Sequence, residues 1–167
     1  MALPEKDAII FHPIGLIRSP FDSLEGMPIQ PSGAKDVEGR IELHGALEEG
    51  LQDLEGFSHI ILLYHFHKNE GYKLKLIPFM DNEERGVFST RAPRRPNMIG
   101  MSTVELIRIE GNILHIKGVD VLDGSPLIDI KPYVKKFDAV PADRFGWLEK
   151  NADKSEILKS DERFVED

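Results

Sequence analysis

Six or seven short apolar segments, parted by turns that carry glycine or proline, leave this chain few ways to fold. Val37, Gly39, Ile41 and Leu43 alternate with Glu38, Arg40 and Glu42, the pattern of a strand buried on one face only. From Ile9 to Arg18 the chain is rich in Ile and Leu and is stopped by Ser19-Pro20. From Phe57 to His67 it is more continuously apolar, which marks a central strand. Tyr72, Leu74 and Leu76 alternate with Lys73 and Lys75. The stretches from Thr103 to Ile109 and from Ile113 to Val119 flank Glu110-Gly111-Asn112, a hairpin signal because Gly and Asn tolerate positive φ. The segment from Leu127 to Tyr133 supplies a last strand. Helical spacing is confined to the stretch from Ala46 to Leu54 and to a C-terminal stretch from Asp153 to Phe164. Short strands at this density favour a closed barrel over a layered α/β fold. The expectation is a mainly β protein: one small barrel over residues 1–140 with short peripheral helices, then a C-terminal extension over 141–167.

At 167 residues the chain fits one domain and can bury a real core. With no Cys it has no disulfide scaffold, zinc ribbon or thiol nucleophile. The N-terminal apolar stretch from Ala8 to Phe11 is too short for a secretory core or a membrane span, so a cytoplasmic protein without a membrane partner is expected. The net charge of −8 argues against indiscriminate binding to nucleic acid. It leaves room for a local basic face: Arg85, Arg91, Arg94 and Arg95 are close in sequence, and Lys131, Lys135 and Lys136 form a second cluster.

The run from Gly86 to Gly100 carries the strongest functional signal. It holds Arg91, Arg94, Arg95 and Asn97, and it is stiffened at Pro93 and Pro96. Rigidly held guanidiniums suit phosphate or carboxylate recognition, where the fork of donors outperforms an ammonium. No Gly-x-Gly-x-x-Gly follows a strand and no Gly-x-x-x-x-Gly-Lys-Ser/Thr occurs, so a nucleotide-like cofactor would have to be held by loops on a β scaffold.

His59, His65 and His67 fall on one side of their strand, but no acidic partner stands beside them in sequence. They read as partly buried rings lining a pocket, and no metal is expected. Asp123-Gly124 reads as a turn. Asp129 and Lys131 share a strand face with Leu127 and Tyr133, and burial there would require a mutual pair or a bound ligand; both readings stand.

Three segments resemble one family: Asp53-Leu-Glu-Gly-Phe-Ser-His-Ile60, the run from Arg91 to Ser102, and Leu122-Asp-Gly-Ser-Pro-Leu-Ile-Asp-Ile-Lys-Pro-Tyr133. In this order they are similar to the TsaA-like, or TrmO-type, tRNA methyltransferases. Members usually read Pro-Ile-Gly-Leu-Ser where this chain has Met98-Ile-Gly-Met101-Ser102, and Gly-Thr-Pro where it has Gly124-Ser125-Pro126. The resemblance implies a β-barrel that binds S-adenosyl-L-methionine and methylates N6 of the adenosine 3′ of the tRNA anticodon, on a base bearing threonylcarbamoyl. It also implies a homodimer with the cofactor near the subunit boundary. Carried over by residue, Gln30, Pro31, Ser32, Phe66, His67, Arg91, Met101, Asp123, Gly124, Ser125 and Pro126 would form the cofactor pocket. Arg94, Arg95, Lys131 and Lys135 would hold the RNA backbone.

An exocyclic adenine amine is a weak nucleophile, so the site must align it and accept its proton. Asn97 and Asp129 are the candidate acceptors, with no choice between them. Two other readings keep the barrel: a non-catalytic RNA- or adenosine-binding module, and a methyltransferase acting on another substrate.

Overall fold

The computed structural model describes residues 8–28, 31–149 and 159–160. Those residues form eight strands: β1 Gly15–Arg18, β2 Glu38–Leu43, β3 His59–His65, β4 Lys75–Leu76, β5 Arg85–Gly86, β6 Ile99–Glu110, β7 Ile113–Lys117 and β8 Ser125–Pro132. Six of them close into a barrel in the order β1-β2-β7-β6-β3-β8, and β4 and β5 form a separate two-stranded ribbon. All the barrel pairings are antiparallel. The closed barrel and mainly β character agree with the expectation. No helix among the described residues is long and apolar enough to cross a membrane.

Alternation builds the interior directly. Ile17, Ile41, Ile60, Leu62, Val104, Leu114, Ile116 and Leu127 are buried inside the ring, and Val119 and Val121 close it. β3 is central, pairing with β6 on one side and β8 on the other. β6 and β7 form the expected hairpin, with Gly111 at φ 60° in its turn, a left-handed conformation that glycine adopts without strain.

Several elements are shorter than the pattern suggests. β1 begins only at Gly15, because Pro13 has no N–H to give to a ladder, and Ile9, Ile10 and Phe11 lie exposed before it. The alternating stretch around Leu74 contributes just two paired residues, in the β4–β5 ribbon. Ala46 to Leu54 is not α-helical: the chain forms a 3₁₀ helix over Gly45–Leu51 and a turn at Leu54–Gly56, with Gly45 and Gly50 weakening any longer helix. Among the described residues the one α-helical turn is α1, Lys135–Asp138. Most of the expected C-terminal helix lies outside the described residues. Within that stretch, Lys159 bridges Pro28 in antiparallel fashion, which is extended rather than helical geometry.

Asp129 and Lys131 do not share the inward face of Leu127. β8 slips by one residue against β3, so that Leu63 faces Asp129 while Tyr64 faces Leu127, leaving Ile128 as a bulge. The extra residue reverses the phase of the strand. Ile130 turns in to the core, and Asp129 and Lys131 turn out, where they form an ion pair at 2.7 Å.

Candidate functional site

A cavity of about 690 Å³ opens at one rim of the barrel. Its floor is the rim itself: Tyr64 at the end of β3, Gly100 and Met101 at the start of β6, Asp120 to Leu122 after β7, and Ser125 at the start of β8. Its sides are loops. Met27 and Pro28 come from the first long loop, Phe66 to Asn69 from the chain leaving β3, and Ser89 to Pro93 from the arginine run. Trp147 and Leu148, from the C-terminal extension, complete the enclosure together with Ser160.

The arginine run is held in shape from within. Arg95 donates through Nη1 to the carbonyls of Val87 (3.1 Å) and Thr90 (2.8 Å). Thr90 Oγ1 donates to Val87 O at 2.9 Å. Trp147 Nε1 donates to Ser89 O at 2.8 Å, and Arg85 lies over the indole ring at 6.0 Å. Opposite, Ser160 binds the first loop: its N–H donates to Met27 O, its carbonyl accepts from Gly26 N, and its hydroxyl contacts Leu24 O.

Gly100 is required by close approach. A Cβ there would collide with the Tyr64 ring and lie 2.9 Å from Phe66. Those two rings pack edge to face, 5.4 Å apart. Below them runs a short polar chain: Tyr64 Oη lies 3.2 Å from Ser102 Oγ, which donates to Asp120 Oδ1 at 2.6 Å. Burial pushes the Asp120 carboxyl up to about 6, partly offset by the Ser102 hydrogen bond and the Arg91 charge. Burial also raises the Tyr64 phenol, and the Asp120 charge raises it further. His67 moves the other way: burial, then the charges of Lys68 and His65, lower it below the usual imidazole value and keep it neutral at pH 7. Its Nδ1 lies 3.4 Å from Ser125 Oγ.

The structure brings Phe66, His67, Arg91, Met101 and Ser125 together around one cavity. Pro31 and Ser32 open the 3₁₀ turn Pro31–Ala34, shortly after Met27 and Pro28, which do line it. Gln30 lies outside the described residues. Of the aspartate turn, only Ser125 reaches the cavity. Asp123 faces a separate hollow with Arg18 and Arg40, and its carboxylate accepts from Ser19 N at 3.0 Å and Arg18 Nη1 at 3.5 Å. Gly124, at φ 73°, donates to Ile17 O, and Pro126 pairs with Leu16, so both serve to place Ser125.

Neither expected proton acceptor faces the cavity. Asn97 is exposed in the loop, its carbonyl accepting from Ile99 N at 2.7 Å. Asp129 is turned to the outer wall by the β8 bulge. The expected RNA contacts also separate. Arg94 is only 8% exposed and its Nε has no hydrogen-bond partner among the described residues, so it is not a surface cation. Arg95 is spent on its own loop, although it borders the cavity. Lys131 pairs with Asp129, and Lys135 is exposed at the start of α1. Among the described residues no group of three acidic or histidine side chains is placed to hold a metal ion.

Asp120, Tyr64, Ser102 and Trp147 were missed as site residues. The signal for Asp120 was a lone carboxylate between Val119 and Val121, two residues of core type. Trp147 is the single Trp of the chain, set in a highly charged extension.

A filled barrel with a loop-walled, mostly apolar cavity at its rim, bordered by the Arg91 and Arg95 guanidiniums and the Asp120 carboxylate, defines a binding protein for a small, mixed-charge organic ligand. The chain belongs to the family of the tRNA-methyltransferase O N-terminal domain, which matches residues 16–139. A probable S-adenosyl-L-methionine-binding protein of Pyrococcus abyssi is 54% identical over 156 residues, covering 93% of this chain and 85% of that one. The tRNA (adenine(37)-N6)-methyltransferase of Mus musculus is 38% identical over 142 residues, 81% of this chain but 33% of that one. The crystal structure of TrmO from Pseudomonas aeruginosa superposes with a TM-score of 0.70 at 40% identity, covering 84% of this chain and 62% of that chain. The chain thus spans under two thirds of the solved TrmO chain and a third of the mouse enzyme.

Proposed function

We propose that the protein is an S-adenosyl-L-methionine-dependent methyltransferase that modifies N6 of the adenosine 3′ of the anticodon in tRNA, on a base already bearing threonylcarbamoyl. The observation that carries this reading is the convergence of Phe66, His67, Arg91, Met101 and Ser125, from four separate stretches of chain, on one cavity. The donor set fits the cofactor. Arg91 would take the methionine carboxylate. Tyr64, Phe66 and Met101 supply apolar surface for the adenine ring and the methylenes beside the sulfonium, and Ser125 and the backbone at Met101 offer hydrogen bonds. When bound, the cofactor supplies an electrophilic methyl group. The protein's own work is to align the target nitrogen, exclude water and take up a proton.

The target base must stand outside its stack to enter the cavity, which an anticodon loop permits. Lys135, exposed at the start of α1, offers a cation to its phosphates. In this reading residues 1–140 are the barrel domain and 141–167 an extension, of which Trp147, Leu148 and Ser160 border the cavity. A homodimer in the cytoplasm completes the proposal.

The test is incubation of the purified protein with labelled S-adenosyl-L-methionine and total tRNA, followed by nucleoside analysis. Label is expected in an N6-methylated adenosine derivative. A second reading, a binding module without chemistry, draws on the near full-length archaeal relatives, whose names state binding alone. Cofactor binding without label in any nucleoside would favour it.

A further inference from the structure

Methylation of an exocyclic amine leaves one proton to be removed, and neither Asn97 nor Asp129 is placed to receive it. Among the described residues, Asp120 is the one carboxylate in the cavity wall. We propose that Asp120 is the catalytic proton acceptor of this site, its carboxylate touching the exocyclic N–H of the target adenine, with Ser102 and Tyr64 as positioning residues. This assignment rests on the methyl-transfer reading above.

The step balances. As the amine lone pair forms the N–CH₃ bond, the S–CH₃ bond breaks with its electron pair left on sulfur, and the N–H proton passes to an Asp120 oxygen. Sulfonium and carboxylate become a neutral thioether and a neutral acid. Positive charge moves from sulfur toward nitrogen along this path, so an anion fixed beside the nitrogen stabilises the transition state more than the ground state.

The surroundings of Asp120 suit that work. The Ser102 hydroxyl fixes Oδ1 at 2.6 Å and is itself held near Tyr64 Oη at 3.2 Å. The charged and titratable groups whose fields reach the carboxylate are Arg91, from the arginine run, and the Tyr64 phenol, from β3. A carboxyl raised toward neutrality by burial is ionised at pH 7 yet holds a proton far better than an exposed one. His67 is the rival base in the same cavity. As a neutral ring it offers no anion to the charge that develops on the amine.

The experiment compares wild type with Asp120→Asn, Ser102→Ala and His67→Gln in single-turnover methylation across pH, beside calorimetric titration with S-adenosylhomocysteine and thermal melts from pH 5 to 8. Asp120→Asn should lose about 10²- to 10⁴-fold in single-turnover rate while keeping its affinity for S-adenosylhomocysteine. The wild-type rate should fall below about pH 6, where the carboxyl protonates. Ser102→Ala removes a hydrogen bond to the ionised form and should move that fall to higher pH. His67→Gln should raise KM for the cofactor and leave the fall where it is. The melts read the same group without chemistry. A carboxyl raised by folding favours the native state at low pH and loses that advantage as pH rises through its folded value. Asp120→Asn should therefore gain Tm over wild type as pH rises through about 6, and hold that gain at higher pH.

An Asn variant as fast as wild type overturns the assignment. So does one that loses cofactor affinity but regains full rate at saturating cofactor, since the carboxylate would then hold the cofactor's ammonium. Loss of the acid fall in His67→Gln also overturns it. Should Asp120→Asn not fold, an unmoved pH profile in Ser102→Ala is decisive against it. A wild type silent on every tRNA removes the methyl-transfer reading, and this assignment with it; an active wild type matched by the variant removes the assignment alone.

Discussion

Trp147 donates its indole N–H to the carbonyl of Ser89 at 2.8 Å, which ties the C-terminal extension to the arginine run across the cavity mouth. Residues 146–148 lie beyond the segment that the family shares, yet they supply part of the wall. Because Trp147 is the single Trp, its emission reports on this cavity alone. Titration with S-adenosylhomocysteine should shift or quench the fluorescence in a saturable way. Emission blind to a ligand that calorimetry shows to bind would place that ligand elsewhere.

Arg91 is the guanidinium bordering the cavity near both Asp120 and Tyr64. Arg91→Ala should weaken cofactor binding by about 1.5 to 3 kcal/mol, the worth of hydrogen bonds to a charged group. Calorimetry at fixed ionic strength measures this, and an unchanged isotherm would remove Arg91 from the cofactor site.

Arg95 has a different duty. Its guanidinium satisfies two loop carbonyls, and truncation to Ala would leave both without that donor. Arg95→Ala should cost about 1 to 3 kcal/mol of stability, read as a lower denaturation midpoint. A variant that keeps wild-type stability but loses tRNA affinity would show that the side chain leaves the loop to meet RNA.

Gly100 permits the contact on which the cavity floor depends. Gly100→Ala forces the Tyr64 ring to move, at about 1 to 3 kcal/mol for overpacking. Displacement of Tyr64 should also part its hydroxyl from Ser102. Thermal melts check the first effect, and cofactor titration the second.

On the outside of the barrel, Glu42 accepts from Arg18 Nε at 2.9 Å and from Arg40 Nη2 at 2.9 Å. Those hydrogen bonds hold its carboxyl below the usual carboxylate value. A depressed carboxyl adds stability at neutral pH and loses it as pH falls through the folded value. Glu42→Gln should therefore lower Tm at pH 7 and approach wild type in acid. A deficit that persists unchanged at low pH would assign the effect to packing.

Much of this fold was legible because burial on one face imprints a period of two. β2 and the β6–β7 hairpin follow from alternation and from Gly111, and β3 from its unbroken apolar run. The β8 bulge was not legible, since one unpaired residue leaves no mark on composition, and it reversed the facing of Asp129 and Lys131. The site was legible as segments rather than as side chains. The motifs name loops that border one cavity, but which atoms turn inward depends on distant partners. Arg94 and Arg95 look alike in sequence; one is buried and the other is bonded to Thr90 O. The place of Asp120 depends on Ser102, eighteen positions away, whose hydroxyl donates to its carboxylate.

Closing six strands into a ring leaves no barrel strand with a bare backbone edge, so another chain cannot join by extending that ladder. At the barrel wall, association with RNA or with a second copy must then be written in side chains and loop atoms. Such surfaces change one residue at a time, which gives this architecture latitude to alter its partners while its interior stays as it is.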